Sequence, residues 1–84
     1  MTQIARTPRQ IGIALRRERR RLGMNQTEIG KKVDLRQATI STAEAGEPGT
    51  KLDTLCRLLA ALDLELVIRP RTKLSLQEIE NLLR

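Results

Sequence analysis

Four neutral side chains in the run DLRQATISTAEAG, Asp34 to Gly46, have the types and spacing to read base edges: Gln37, Ala38, Thr39 and Thr42. A glutamine amide donates and accepts at once, which suits the N6 and N7 atoms of adenine. Alanine can touch a thymine methyl, and threonine can do either polar or methyl work. Arg36, the only cation of the run, could reach a guanine or a phosphate. On a wheel at about 100° per residue, Ile40 points one way with Ala43 and Glu44 beside it. Ala38 and Thr42 point the other way, Ser41 and Ala45 lie adjacent, and Gln37 and Thr39 flank the face. A helix entering the major groove must be slim, and its readers should bond base edges rather than phosphates. The plainer alternative is a solvent-facing surface of small residues with no ligand.

Such a helix needs a second helix to fix its angle. In the frame that starts at Gln26, apolar residues recur at Ile29, Val33, Leu35, Ile40 and Ala43. The small Gly30 falls where two helices crossing sharply bring their backbones together. This pattern predicts a helix-turn-helix sharing one buried face. Asn25 is a good N-cap and Glu28 completes a capping box, so one helix starts after Asn25 and breaks at Asp34. The next runs from Arg36 to Ala45, ahead of the loop Gly46-Glu47-Pro48-Gly49. Phosphate anchoring is expected from Asn25, Gln26 and Thr27, where free N–H groups and the helix dipole favour an anion. Thr50 and Lys51 would flank the backbone on the other side of the groove. Arg17 is a further candidate phosphate contact, and the arginine run Arg16 to Arg21 supplies field, though not every arginine can face DNA.

Composition bounds the rest. Eighty-four residues make one domain with a thin core, so association is a plausible source of stability. With no Phe, Tyr or Trp, the core must be Leu, Ile, Val and Ala, and single-stranded nucleic acid has no stacking platform. With no His there is no imidazole base or His-containing metal site, and the lone Cys56 can make no internal disulfide. No metal, cofactor or enzymatic activity is expected. Without a membrane-length apolar run or signal segment, the chain reads as soluble and cytoplasmic, with association to the nucleoid. The net charge of +6 is lopsided: residues 1–32 carry nine cations against two acids, net +7, and the remainder is net −1. A face for a polyanion follows.

Along the chain, residues 1–6 read as a flexible arm and residues 7–63 as the helix-turn-helix domain. Thr7 and Pro8 open a first helix that runs to about Leu22, with Gly23 as its stop. Thr50 is expected to cap a fourth helix whose core stripe is Leu52, Leu55, Leu58, Leu59 and Leu62, with Cys56 as small buried packing. Residues 64–84 read as a dimerisation segment and tail. Leu64, Leu66 and Ile68 alternate with Glu65, Val67 and Arg69 up to Pro70, which predicts a strand. Its natural partner is the same strand of a second chain, so Leu64, Leu66, Val67 and Ile68 are the candidate contacts of a two-fold homodimer. The alternative is an extended tail on its own helices. A capping-box pattern from Ser75 to Glu78 predicts a short terminal helix through Leu83.

The stretch IGIALRRERRRLGMNQTEIGKKVDLRQATISTAEAG, followed by TKLDTLCRLLAALDLEL, resembles the Xre/Cro-type repressor family over roughly residues 9–66. Within it, KKVDLRQATIS and the later LELVIRP resemble HipB-type antitoxins. The resemblance implies an all-α, lambda-repressor-like domain of four core helices, with the added strand and tail helix. It implies a palindromic double-stranded operator, autoregulation of the operon, and a HipA-type serine/threonine kinase toxin as partner. By position it makes Gln26 a phosphate clamp and Gln37, Ala38 and Thr42 base readers. It also pairs Glu44 of Glu44-Ala45-Gly46 with Arg19 as a structural acid and base. Asp34 stands where that family has Gly, and Gly30 where it has Ala. The reading is a dimeric repressor and antitoxin. The rivals are a stand-alone phage-type or restriction-controller regulator, and an interaction module that chiefly masks a protein partner.

Overall fold

The computed structural model describes residues 2–72, and within them the chain forms four helices. Helix α1 is Pro8–Arg21, opened by Thr7, whose hydroxyl accepts from the Gln10 N–H at 3.1 Å. Helix α2 is Gln26–Val33, and Asn25 and Glu28 exchange the two capping-box bonds at its start. Helix α3, Gln37–Glu44, follows after Arg36 as N-cap. Helix α4 is Leu52–Ala61. Thr50 does not cap α4. Lys51 holds the N-cap position without a side-chain bond, and the buried Thr50 hydroxyl has no partner among the described residues.

All four helices end the same way. Gly23, Asp34, Gly46 and Asp63 take left-handed φ of 73°, 55°, 78° and 57°. Each lets the following N–H reach back to a carbonyl five residues earlier: Met24 to Arg19, Leu35 to Gly30, Glu47 to Thr42 and Leu64 to Leu59. That bond satisfies a carbonyl the helix would otherwise leave bare.

Leu15, Ile29, Ile40, Ala43, Leu58 and Leu62 form the core, one or two from each helix. Ile11, Met24, Val33, Leu35, Leu55, Leu59, Ala61 and Leu64 close around it. Glycine permits one decisive approach. A Cβ on Gly12 would collide with the Glu44 carbonyl oxygen and stand 2.8 Å from that of Ala43, so α1 crosses the C-terminal end of α3 backbone to backbone. Gly30 serves the turn in the same way, since a Cβ there would lie 2.6 Å from the Leu35 oxygen.

Several expectations need correction. Leu52 is 69% exposed and Cys56 is exposed, whereas Thr54 is buried. Thr54, Leu58 and Leu62 form one inward row at four-residue spacing, and Cys56 lies about 200° from Leu58 on the wheel. Leu22 is likewise exposed, past the end of α1. No strand occurs among the described residues. Leu64 is tied to α4 and half-buried on its own core, and among the described residues the chain beyond it has no backbone partner, which a strand requires. Arg6 of the N-terminal segment donates to the Thr72 carbonyl at 2.8 Å, bringing the two ends of the described chain together. The terminal helix expected from Ser75 lies outside the described residues. No helix among the described residues is long and apolar enough to cross a membrane.

Candidate nucleic-acid interface

The uncharged face of α3 is solvent-facing. Gln37, Ala38, Ser41, Thr42 and Ala45 are exposed and Thr39 is half-buried, while Ile40, Ala43 and Glu44 face inward. The angle of this helix is set by the turn before it. Asp34 holds its left-handed conformation, Leu35 tucks in, and Arg57 on α4 donates to the carbonyls of Val33 and Asp34. Sequence reasoning missed Arg57. The preference of a cation for the last carbonyls of a helix is general, but nothing local links α4 to the end of α2.

A continuous set of side-chain bonds ties the other end of α2 to α3. Arg19 Nε donates to Glu44 Oε2 at 2.6 Å and Arg19 Nη2 to Glu44 Oε1 at 2.9 Å, a two-pronged buried pair. The remaining nitrogen, Nη1, donates to the Met24 carbonyl at 2.8 Å, which steers the chain into the Asn25 cap. Gln26 Nε2 donates to Glu44 Oε1 at 3.2 Å, and Gln37 Nε2 donates to Gln26 Oε1. Burial pushes the Glu44 carboxyl up, but the hydrogen bonds from Arg19 and Gln26, aided by the charges of Arg19 and Arg16, outweigh it and hold the group below its ordinary value. The Glu44 bond raises Arg19 in turn, against its burial. A pair so buried, with all three guanidinium nitrogens engaged inside the fold, is a structural joint rather than a phosphate contact.

The chemistry left free on this surface is specific. Glu44 fixes the orientation of the Gln26 amide, because a carboxylate only accepts. Gln26 thereby fixes Gln37, leaving the Gln37 oxygen and its second N–H pointing outward. That is the donor–acceptor pair a base edge such as adenine requires. Thr42 donates its hydroxyl to the Ala38 carbonyl at 2.8 Å, so it offers outward only a lone pair and a methyl. At the start of α2, Asn25 Oδ1 is spent on Glu28, but its amide N–H groups remain, and Thr27 is exposed beside them. Across the surface Lys51 is exposed while Thr50 is half-buried. Arg36 is exposed at the start of α3. Arg17 lies about 160° around α1 from Arg19, on the outward side of the helix.

A Helix-turn-helix family profile matches residues 15–68. Among curated proteins, the chain is 34% identical over 62 residues to antitoxin HipB of Escherichia coli O6:H1 strain CFT073, covering 74% of this chain and 66% of that one. It is 34% identical over 62 residues to antitoxin HipB of Escherichia coli K12, covering 70% of the latter. The chain thus spans about two thirds of the length of the curated relatives it matches. Among solved structures, it superposes on HipB in a HipB-O4 20mer complex with a TM-score of 0.79 at 31% identity, covering 84% of this chain and 100% of that one. A HipA-HipB-O2-O3 complex contains a chain matched with the same TM-score of 0.79, identity of 31% and coverage of 84% and 100%. With its exposed, charge-poor third helix braced by Glu44 and Gln26, the chain belongs to the Xre-type helix-turn-helix family, whose members here include the HipB antitoxins.

Proposed function

We propose that this protein is a homodimeric repressor that binds a palindromic double-stranded operator and serves as the antitoxin to a HipA-type kinase. The observation that carries the reading is the Arg19–Glu44–Gln26–Gln37 chain of bonds. It holds a bidentate amide at the head of a helix whose exposed face is uncharged. The partner protein is inferred from the HipB relatives and from the HipA-HipB-O2-O3 assembly.

In mechanism, α3 enters the major groove with Gln37 across an adenine edge and Ala38 against a thymine methyl. Thr42 accepts from an exocyclic amine or packs its methyl, because its own proton is already bonded to Ala38. Asn25, Thr27 and the leading N–H groups of α2 hold one phosphate strand, and Lys51 flanks the other, whereas the expected contact from Thr50 is lost because its hydroxyl is buried. Gln26 contributes chiefly by clamping Gln37, and its second amide N–H remains for a phosphate. Two copies place α3 in successive major grooves about 34 Å apart. Residues 7–63 are the DNA-binding unit, and the segment after Leu64 joins the copies. Leu66, Val67 and Ile68 are 57%, 68% and 92% exposed, an apolar run that pairing with its symmetry mate would cover.

The test is binding to the promoter DNA of its own operon against a duplex of shuffled sequence, for wild type and Gln37→Ala. Loss of preference with retained shuffled-duplex affinity supports base reading, and equal weakening on both rejects it. For the dimer, Val67→Pro should raise the monomer fraction in analytical ultracentrifugation, and an unaltered dimer rejects the pairing.

A further inference from the structure

The arginines of α1 are not equivalent, and the structure sorts them. Arg19 is committed to Glu44, and Arg21 is bonded to Glu18 at 2.5 Å on the exposed side. Arg9, Arg16 and Arg20 are exposed and form no ion pair among the described residues. On α1 they fall within a sector about 40° wide, whereas Arg17 and Arg21 lie about 100° and 140° beyond Arg16. That sector borders α3. Gly12, about 40° from Arg16, packs on the last carbonyls of α3, and the Arg16 charge is felt at Glu44. One end of the stripe adjoins the α3–α4 loop, since a Cβ on Gly46 would lie 2.5 Å from the Arg9 Cα. The other end, Arg20, stands at the last turn of α1, where its carbonyl accepts from the Gly23 N–H of the link leading into α2. The stripe therefore runs from the α3–α4 loop towards the link before α2, the two regions to which the proposed interface assigns its phosphate contacts.

We infer that Arg9, Arg16 and Arg20 form a phosphate-binding stripe, which engages the DNA backbone along the groove that α3 enters and adds affinity without sequence preference. The inference rests on the DNA-binding reading above and fixes which part of the basic surplus acts. Arg17, also exposed and without an ion pair among the described residues, lies outside this sector, so the stripe replaces it as the expected phosphate contact of α1.

The experiment measures binding to a short mixed-sequence duplex over a series of salt concentrations, for the full chain and for Arg9→Gln, Arg16→Gln, Arg20→Gln and, as a charge-matched control, Arg21→Gln. Each stripe variant should flatten the slope of log K against log salt by about 0.9, as expected for one lost phosphate contact, and should do so equally on promoter DNA. Arg21→Gln should leave the slope near wild type. Circular dichroism melts show that each variant folds. If all four variants give one slope, the stripe is a solvated face and the proposal is overturned, although the α3 reading survives. If wild type shows no salt-dependent duplex binding, the DNA reading itself falls first. If Arg21→Gln flattens the slope as much as the others, the effect is net charge and the assignment of the stripe is rejected.

Discussion

Helices α1 and α3 touch, yet their surfaces follow opposite rules. The solvent side of α1 carries five arginines, and that of α3 carries Gln37, Ala38, Ser41, Thr42 and Ala45 with no charge at all. Charge acts at a distance and without sequence, so it belongs where only a backbone must be found. Short neutral groups act at contact and in one orientation, so they suit the proposed meeting of α3 with base edges. What makes the division workable is the one hydrogen-bonded side-chain joint between the two helices among the described residues, the buried Arg19–Glu44 pair.

Breaking that joint should have the largest effect. Glu44→Ala leaves Arg19 buried without its partner and should cost about 3–5 kcal/mol of folding stability in urea denaturation. It also frees Gln26, so the surviving folded fraction should lose operator preference. The pair carries a pH signature as well. Glu44 is held below its ordinary value in the folded state, so the unfolded state binds the proton more readily. Its stabilising effect is complete well above the ordinary value of 4.5 and is lost as pH falls through the lower folded value. Glu44→Gln should flatten that acid limb while lowering stability at neutral pH, and an unchanged acid limb would show that other carboxylates dominate it.

Next comes the neutral helix itself. Gln37→Ala should cost about 1–3 kcal/mol on the operator and little on shuffled DNA, the loss expected of one bidentate base contact. Because Gln37 is exposed, the melting temperature should hardly move. A mutation that makes α3 resemble α1 tests the contrast from the other side. Ser41→Lys should steepen the salt dependence by about 0.9 in slope, strengthen binding to shuffled DNA and lower the operator-to-shuffled ratio. A retained ratio would mean that the absence of charge on α3 has no bearing on selectivity.

How far these two helices could be read from sequence depended on whether local rules governed the residues. The caps at Thr7 and Asn25, the bounds of α2 and α3, and the inward set Ile29, Ile40 and Ala43 follow from spacing and capping chemistry within one or two turns. The exposure of Cys56 and Leu52 did not, because four leucines on α4 fit more than one wheel and the neighbouring helices decide which face is covered. The link between Gln26 and Gln37 was hidden by an eleven-residue separation, although both had been singled out for other reasons. The local spacing of Arg57 points only to Asp53, 4.0 Å away one turn earlier, whereas the backbone carbonyls it holds on α2 leave no mark in a sequence. The extended stretch after Leu64 shows the limit most plainly. Alternation there says that the backbone is suited to a strand, but a strand exists only where a second backbone supplies the bonds.

The smallest expected effect concerns the turn that presents α3. Asp34 is left-handed, with φ 55° and ψ 49°, in a place where a side chain opposes the conformation and glycine would not. Two features offset the strain: the Leu35 N–H bonds to the Gly30 carbonyl at 2.9 Å, and Arg57 holds the carbonyl of Asp34 itself. Asp34→Gly removes the steric cost but gives the unfolded chain more freedom, so the two changes oppose each other and the net gain should be only about 0.5 kcal/mol. Arg57→Met should be destabilising in the wild-type turn and less so beside Asp34→Gly, because the clamp then restrains a conformation that glycine adopts unaided. A double-mutant cycle in urea reads this coupling directly. Additive effects would mean that Arg57 only joins α2 to α4. Coupling would mean that a cation on α4 lets an aspartate set the angle at which the neutral helix meets its groove.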